Sequence, residues 1–175
     1  MEKLANRIEL AKLAGDMSLR FCAEIGVYDG FYSEIICKNV PNVVMICVDT
    51  WAPSRNHRNP IRLDNALQEA RMRLRDYQAI FMKLPSVEAA EKVPDGSLDF
   101  VYVDALHDYK NVRDDLNAWD STLRVGGIFA GHDWGHAGVT KAVEEFAQKK
   151  GIKQINVTGI CEPDNMPSWW WVKDA

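Results

Sequence analysis

The sequence predicts an α/β fold: a doubly wound sheet of seven strands, mostly parallel, with an antiparallel last strand. Three observations predict it. Short apolar runs alternate with amphipathic helical patterns five times along the chain, which is the signature of parallel strands joined by crossover helices. The first apolar run leads into a turn with a glycine at each end, Gly26 and Gly30, and about 20 residues further on the second run ends in an acidic residue, Asp49. The last two apolar runs have no helix between them, so they pair antiparallel at one edge.

Each element follows from its own pattern. Glu2 to Ala14 has Leu4, Ile8 and Ala11 on one stripe and stops at Gly15-Asp16, so it reads as an amphipathic helix. Phe21 to Ile25 is a short apolar run bounded by turn signals, as a buried parallel strand requires. Gly26 and Gly30 allow positive φ or a close approach of the backbone to a ligand. A helix over about Tyr32 to Lys38 stops before Pro41, and its free N–H groups face the turn. Asn42 to Val48 is the second strand, tipped by Asp49.

Thr50 to Pro60 is polar and carries two prolines, so it reads as a long loop, either solvated or a functional lid. Arg62 to Arg75 is a basic helix with Leu63, Leu67, Ala70 and Leu74 inward, its arginines forming a solvated face. Ala79 to Leu84 is the third strand, followed by Ser86. Val87 to Lys92 is a short helix, and Leu98 to Val103 is the fourth strand, tipped by Asp104. Asp99 is expected as a turn residue there. Tyr109 to Leu123 turns Val112, Leu116, Trp119 and Leu123 inward. Arg124 to Gly127 is a turn into the fifth strand, Ile128 to Gly131, which ends in His132-Asp133-Trp134. Val139 to Lys149 is the last helix, and Ile152 to Val157 and Ser168 to Val172 are the closing strands. Trp169, Trp170 and Trp171 sit in the last of these, with one or two rings expected in the core.

Composition bounds the function. A chain of 175 residues, 47% hydrophobic, is expected to form one domain with a sizeable core, spanning residues 1–175. Its net charge of −4 gives no basic field for nucleic acid. No apolar run approaches the roughly 18 residues of a membrane helix, and the start lacks the apolar core of a signal peptide. Cys22, Cys37, Cys47 and Cys161 are scattered, as reduced structural thiols are, so a cytoplasmic protein is expected.

In doubly wound sheets ligands bind beyond the carboxyl ends of the strands. Glu24, Asp49, Ser86, Asp104, His132 and Asp133 all fall at such ends and are expected to converge. The acidic second-strand tip suits a grip on ribose hydroxyls, which points to a nucleoside-containing cofactor. His107 follows the fourth strand and is either a general base, because imidazole titrates near neutral pH, or a loop histidine that hydrogen-bonds backbone ahead of the next helix. His57 and His136 lie in polar loops with nothing to mark them as ligands.

Four stretches carry a resemblance: Ala23-Glu24-Ile25-Gly26-Val27-Tyr28-Asp29-Gly30; Val48-Asp49-Thr50-Trp51; Phe100 to Tyr109, which contains Asp104-Ala105-Leu106-His107-Asp108; and Leu123 to Gly127 with Ala130-Gly131-His132-Asp133-Trp134. The chain resembles class I S-adenosylmethionine-dependent methyltransferases, over about Arg20 to Lys173, and within them the small sugar O-methyltransferases that act on macrolides and aminocoumarins. The resemblance implies a Rossmann-like sheet with a reversed last strand, and S-adenosylmethionine as cofactor. It implies that Glu24, Gly26 and Gly30 line the amino-acid and ribose part, with Tyr28 where many members have a middle glycine. Asp49 would hold the ribose hydroxyls, Thr50 would also bind the cofactor, Trp51 and Ser86 would lie at adenine, and Asp104 near the methionine amine and the transferred methyl. Catalysis would fall to Asp104, His107 and His132. An aspartate after strand four with a polar pair after strand five implies an Mg²⁺ site of Asp104, His132 and Asp133, in which the histidine is an unusual ligand for an oxygen-seeking ion.

The function expected is O-methylation of a small polar acceptor such as a sugar hydroxyl. The alternatives are a nicotinamide-dependent oxidoreductase, whose Gly-x-Gly-x-x-Gly turn this chain lacks, or a non-catalytic subunit of the same fold. No nucleic-acid or membrane partner is expected. A homo-oligomer in which a second chain closes the site is compatible with so short an enzyme.

Overall fold

In the computed structural model, residues 3–53, 60–160 and 165–174 are described. Their elements run α1 (Arg7–Asp16), β1 (Phe21–Ile25), α2 (Phe31–Asn39), β2 (Val44–Asp49), α3 (Pro60–Arg73), β3 (Gln78–Lys83), α4 (Ser86–Ala90), β4 (Leu98–Val103), α5 (Tyr109–Trp119), β5 (Leu123–Gly131), α6 (Ala137–Lys150), β6 (Asn156–Val157) and β7 (Trp169–Val172). The seven strands form one sheet in the order β3-β2-β1-β4-β5-β7-β6. β1 to β5 pair parallel, and β7 runs antiparallel to both β5 and β6. The reversed strand thus lies inside the sheet, and only β6 is at that edge.

Alternation of side chains along the strands divides the core into two layers. Cys22, Met45, Cys47, Phe100, Tyr102 and Trp170 face α1, α2 and α3. Ala23, Val48, Val101, Phe129, Trp169 and Trp171 face α4, α5 and α6. The register puts Ile25 opposite both Val48 and Val103, and Val103 opposite Gly131. The residues just past these positions therefore emerge together at one end of the sheet.

Several boundaries differ from expectation for identifiable reasons. α1 starts at Arg7, not Glu2, because the Asn6 side chain accepts from the Ile8 and Glu9 N–H groups and caps the helix there. α5 stops at Trp119, and Leu123 begins β5. The 124–127 stretch is strand with a register shift, not a turn, and Gly126 and Gly127 exchange backbone hydrogen bonds with Lys173. Asp99 lies within β4, where its Oδ2 accepts from the N–H groups of Arg20 and Phe21 at 2.8 and 2.7 Å while Arg124 binds its other oxygen. It clamps the start of β1, and those donors, with Arg124, outweigh burial and hold its carboxyl below the usual range. Of the expected strand 152–157, only Asn156–Val157 is paired. All three tryptophans of β7 are buried.

The arginines of α3 are engaged rather than simply solvated. Arg73 pairs with Asp29 and Glu34, Arg62 Nε donates to the Tyr28 hydroxyl at 2.7 Å, and Arg71 lies over Phe81. Cys22, Cys37 and Cys47 are free and buried, and burial pushes their thiols up. His57, Cys161 and most of the expected 50–60 loop lie outside the described residues.

Candidate active site

The site is built on the first turn. Gly26 has φ +92, and a Cβ on it would overlap the carbonyl oxygen of Asp104, so only glycine lets the end of β1 lie against the end of β4. Gly30, at φ +79, serves a different contact: a Cβ there would meet Ala70 of α3 at 2.9 Å. Between them Tyr28 also has positive φ, 51°, which explains why a glycine would be at ease at this position. Its strained backbone is fixed from two sides. Its N–H donates to Asp49 Oδ2 at 2.9 Å, and its carbonyl accepts from Trp51 Nε1 at 2.8 Å. Asp49 Oδ1 accepts from the Trp51 N–H at 2.8 Å. Asp49 therefore ties the glycine turn to the β2 loop and retains acceptor capacity on both oxygens.

Beyond these ends lies a cavity of about 240 Å³. Tyr28, Asp49, Thr50, Ser86, Asp104 and Asp115 line it together with apolar groups such as Ile25 and Leu106. A cavity with an acidic rim and apolar walls suits a ligand that joins a flat apolar body to hydroxyls and a cationic end.

A second cluster adjoins it. His107 Nε2 lies 2.9 Å from Asp133 Oδ2, and His132 Nδ1 lies 3.4 Å from Asp133 Oδ1 and 3.8 Å from Asp104 Oδ1. These residues surround a second cavity of about 10 Å³, room for about one water, which shares Asp104, Ala105 and Leu106 with the first. Asp104 is thus the hinge between the two spaces. Its carboxyl is raised by burial, a shift augmented by Asp133 and opposed by His132 and Arg7. The hydrogen bond to Asp133 raises His107. Burial would lower His132, but Asp133 and Asp104 overcome it and the ring is raised. Burial likewise works against the Asp133 charge, yet its two histidine partners hold its carboxyl well below the ordinary range. Asp133 sits at φ 59, so its backbone, like that of Tyr28, is strained at the site.

The sequence-predicted residues divide accordingly. Gly26, Tyr28, Asp49, Thr50, Ser86 and Asp104 line the larger cavity. Glu24, Gly30 and Trp51 do not. Glu24 is buried and hydrogen-bonded to Ser33, and its carboxyl is pushed up to about 8 by loss of solvent. Trp51 is buried against Phe81, with ring centroids 6.1 Å apart. For a cation, the carboxylates Asp104 and Asp133 converge, and among the described residues the group whose ligand atoms all lie within 4.8 Å of one another takes His107 rather than His132 as its third member.

Two residues went unpredicted. Arg7 reaches from α1 to place Nη1 3.5 Å from Asp104 Oδ2, its guanidinium 4.8 Å over the Tyr32 ring. Nothing in the α1 pattern signals that reach. Asp115 does carry a signal: it falls on the Val112–Leu116–Trp119 stripe that α5 buries, where an acid is out of place.

The sequence profile of a family described as a methyltransferase domain matches residues 23–134, well over half of the chain. A search of curated proteins returns no significant match. Among solved structures, the O-methyltransferase NovP superposes with a TM-score of 0.71 at 17% identity, covering 97% of this chain and 80% of that one. An O-methyltransferase from Bacillus cereus solved in complex with SAH gives 0.64 at 14% identity, covering 95% and 80%. A candidate rRNA methylase from Clostridium thermocellum gives 0.69 at 14% identity, covering 99% of both chains. At these identities the likeness is one of fold.

Proposed function

The chain belongs to the methyltransferase-domain family and is an S-adenosylmethionine-dependent methyltransferase of class I, and from that premise we propose that it methylates an oxygen of a small polar acceptor such as a sugar hydroxyl. The observation that carries the reading is the meeting of two spaces at Asp104: a nucleoside-sized cavity on one side, a histidine–carboxylate cluster on the other.

Within the larger cavity Asp49 would take the ribose hydroxyls, with Gly26, Tyr28 and Thr50 closing around them. Ser86 would lie at the adenine edge and Asp104 at the amine of the methionine end. Glu24, Gly30 and Trp51 would act from behind, as supports of the turn and the β2 loop. The bound cofactor supplies an activated methyl group on a sulfonium. The protein's part is alignment of acceptor and donor and removal of the acceptor's proton. His107 is the more accessible base, 38% exposed against 10% for His132, and Asp133 orients its ring through Nε2. His132 would complete the charge balance around Asp104.

Titration calorimetry with S-adenosylhomocysteine, and NADH as control, tests the cofactor assignment. Micromolar binding of the former alone is expected, weakened about tenfold or more by Asp49→Ala, which removes a charged hydrogen-bond acceptor. Binding of NADH instead would return the oxidoreductase reading.

A divalent cation would compete with the base for His107. Asp104 and Asp133 would hold it, with His107 or His132 as the nitrogen ligand. Two carboxylates and an imidazole suit Mn²⁺ better than Mg²⁺. If a cation is required, excess chelator abolishes turnover and leaves S-adenosylhomocysteine binding largely intact. If His107 is the base, full activity survives the chelator and His107→Ala lowers kcat by about 10²–10⁴. The acceptor class rests on resemblance and on how little of the described chain lies outside the sheet and its helices. A homo-oligomer and a cytoplasmic location remain part of the proposal, as does the absence of a nucleic-acid partner.

A further inference from the structure

α5 brings one more carboxyl to the wall of the larger cavity. Asp115 is 4% exposed and lines the same space as Asp49 and Ser86. Its partner is Ser86. Trp119 Nε1 donates to Ser86 Oγ at 2.9 Å, which leaves the serine's own proton free to turn toward the Asp115 carboxyl, where the hydroxyl works against the effect of burial. Trp119 thus orients Ser86 beside a carboxyl that keeps unused acceptor capacity. Among the described residues no cation pairs with Asp115, and the charges acting on it, Asp114 and Asp108, are both acidic. Burial pushes its carboxyl up to about 7.

As a purely structural group this is a poor choice. A buried carboxyl without a cation costs stability, and an apolar side chain would serve the Val112–Leu116–Trp119 stripe better. The arrangement makes sense if the cavity's ligand brings the missing donor. We propose that Asp115, held by Ser86, reads the base of the cofactor by accepting a hydrogen bond from the 6-amino group of adenine. In its neutral form the same carboxyl would also donate to the adjacent ring nitrogen, so acceptor and donor would match the edge of the base together. This rests on the reading of the cavity as the S-adenosylmethionine site, and it adds a specificity-determining residue to that site.

The test compares S-adenosylhomocysteine with its purine analogue lacking the 6-amino group, by calorimetry on the full chain. The wild-type protein is expected to prefer the adenine compound by about tenfold or more, since a buried acceptor left without its donor is penalised. Asp115→Ala brings the ratio close to one while both compounds still bind. Asp115→Asn, whose amide offers the same acceptor and a donor, restores the preference. Equal affinity of the wild-type protein for the two compounds overturns the inference and leaves the cofactor assignment standing, and this outcome needs no variant to fold. An Asp115→Ala ratio that stays at the wild-type value overturns it too, as does an equal loss of both compounds, which a structural role would produce. Failure of the wild-type protein to bind either compound fells the cofactor assignment and the inference together.

Discussion

At the scale of single residues, the site is a set of acids kept apart by what each can lean on. Asp49 accepts from two backbone N–H groups, Asp133 from two histidines, and Asp104 faces Arg7 and His132. Glu24 is fully buried, and neither its hydrogen bond to Ser33 nor the nearby Arg7 offsets the loss of solvent, so its carboxyl is pushed up to about 8 from an ordinary 4.5. The consequence for stability has a definite sign. Below about pH 4.5 folded and unfolded chains both hold the proton. Between there and about pH 8 the folded chain keeps a proton that the unfolded chain releases, so stability falls as pH rises, and above pH 8 the loss is complete. Asp115 acts with the same sign up to about pH 7. Glu24→Gln should therefore flatten the pH 5 to 8.5 limb of the denaturation midpoint by an amount on the order of a few kcal/mol. A variant with the wild-type slope would show that Glu24 is not the group responsible. Strand tips such as Asp49 and Asp104 were legible in the sequence because parallel strands in register deliver their ends to one place. Arg7 was not, because its role depends on how α1 is rotated over the sheet, which no local pattern states.

At the scale of elements, the sheet is held where aromatic side chains pass through it. β7 sends Trp170 into one layer and Trp169 and Trp171 into the other, stacked 5.1 Å apart. Trp169 also donates Nε1 to the carbonyl of His132 at 3.1 Å, which ties the reversed strand to the loop that carries the cluster. Trp170→Ala should cost about 3–5 kcal/mol in urea unfolding, as a large buried ring replaced by a cavity does. Val125→Ala, at a position 56% exposed, should stay within about 0.5 kcal/mol. Similar losses for the two would mean that β7 does not anchor the sheet. The strand pattern was readable here because three consecutive tryptophans have few other places to go. Their distribution over both faces was not, since a run without polar alternation does not say which face is core. The same limit applies to 124–127, where two glycines looked like a turn and instead continue β5 through a register shift.

At the scale of the whole molecule, the larger cavity spans both layers of the core. Its wall takes Ile25 and Val48 from the layer under α4, α5 and α6, Leu63 from α3 on the other side, and Ser86 and Asp115 from α4 and α5. The five-fold alternation of strand and helix was enough to place such a crevice at the carboxyl ends of the strands. The contribution of α3 follows only from three-dimensional packing, and that of α5 was signalled only by an acid on its buried stripe. A ligand seated there would touch α3 on one face of the sheet and α4 and α5 on the other, and its binding should appear as stability of the entire fold. At a concentration of S-adenosylhomocysteine about 100 times its Kd, mass action adds about 2.7 kcal/mol. For a chain of this size that corresponds to a rise in Tm of about 5–10 °C. Asp49→Ala should reduce the rise at the same ligand concentration while leaving a single cooperative transition, because Asp49 supports the β2 loop without belonging to either layer of the core. A wild-type transition that does not move in saturating ligand would mean that the cavity is not where the cofactor binds. A split transition on ligand addition would mean that the two layers are not coupled through it.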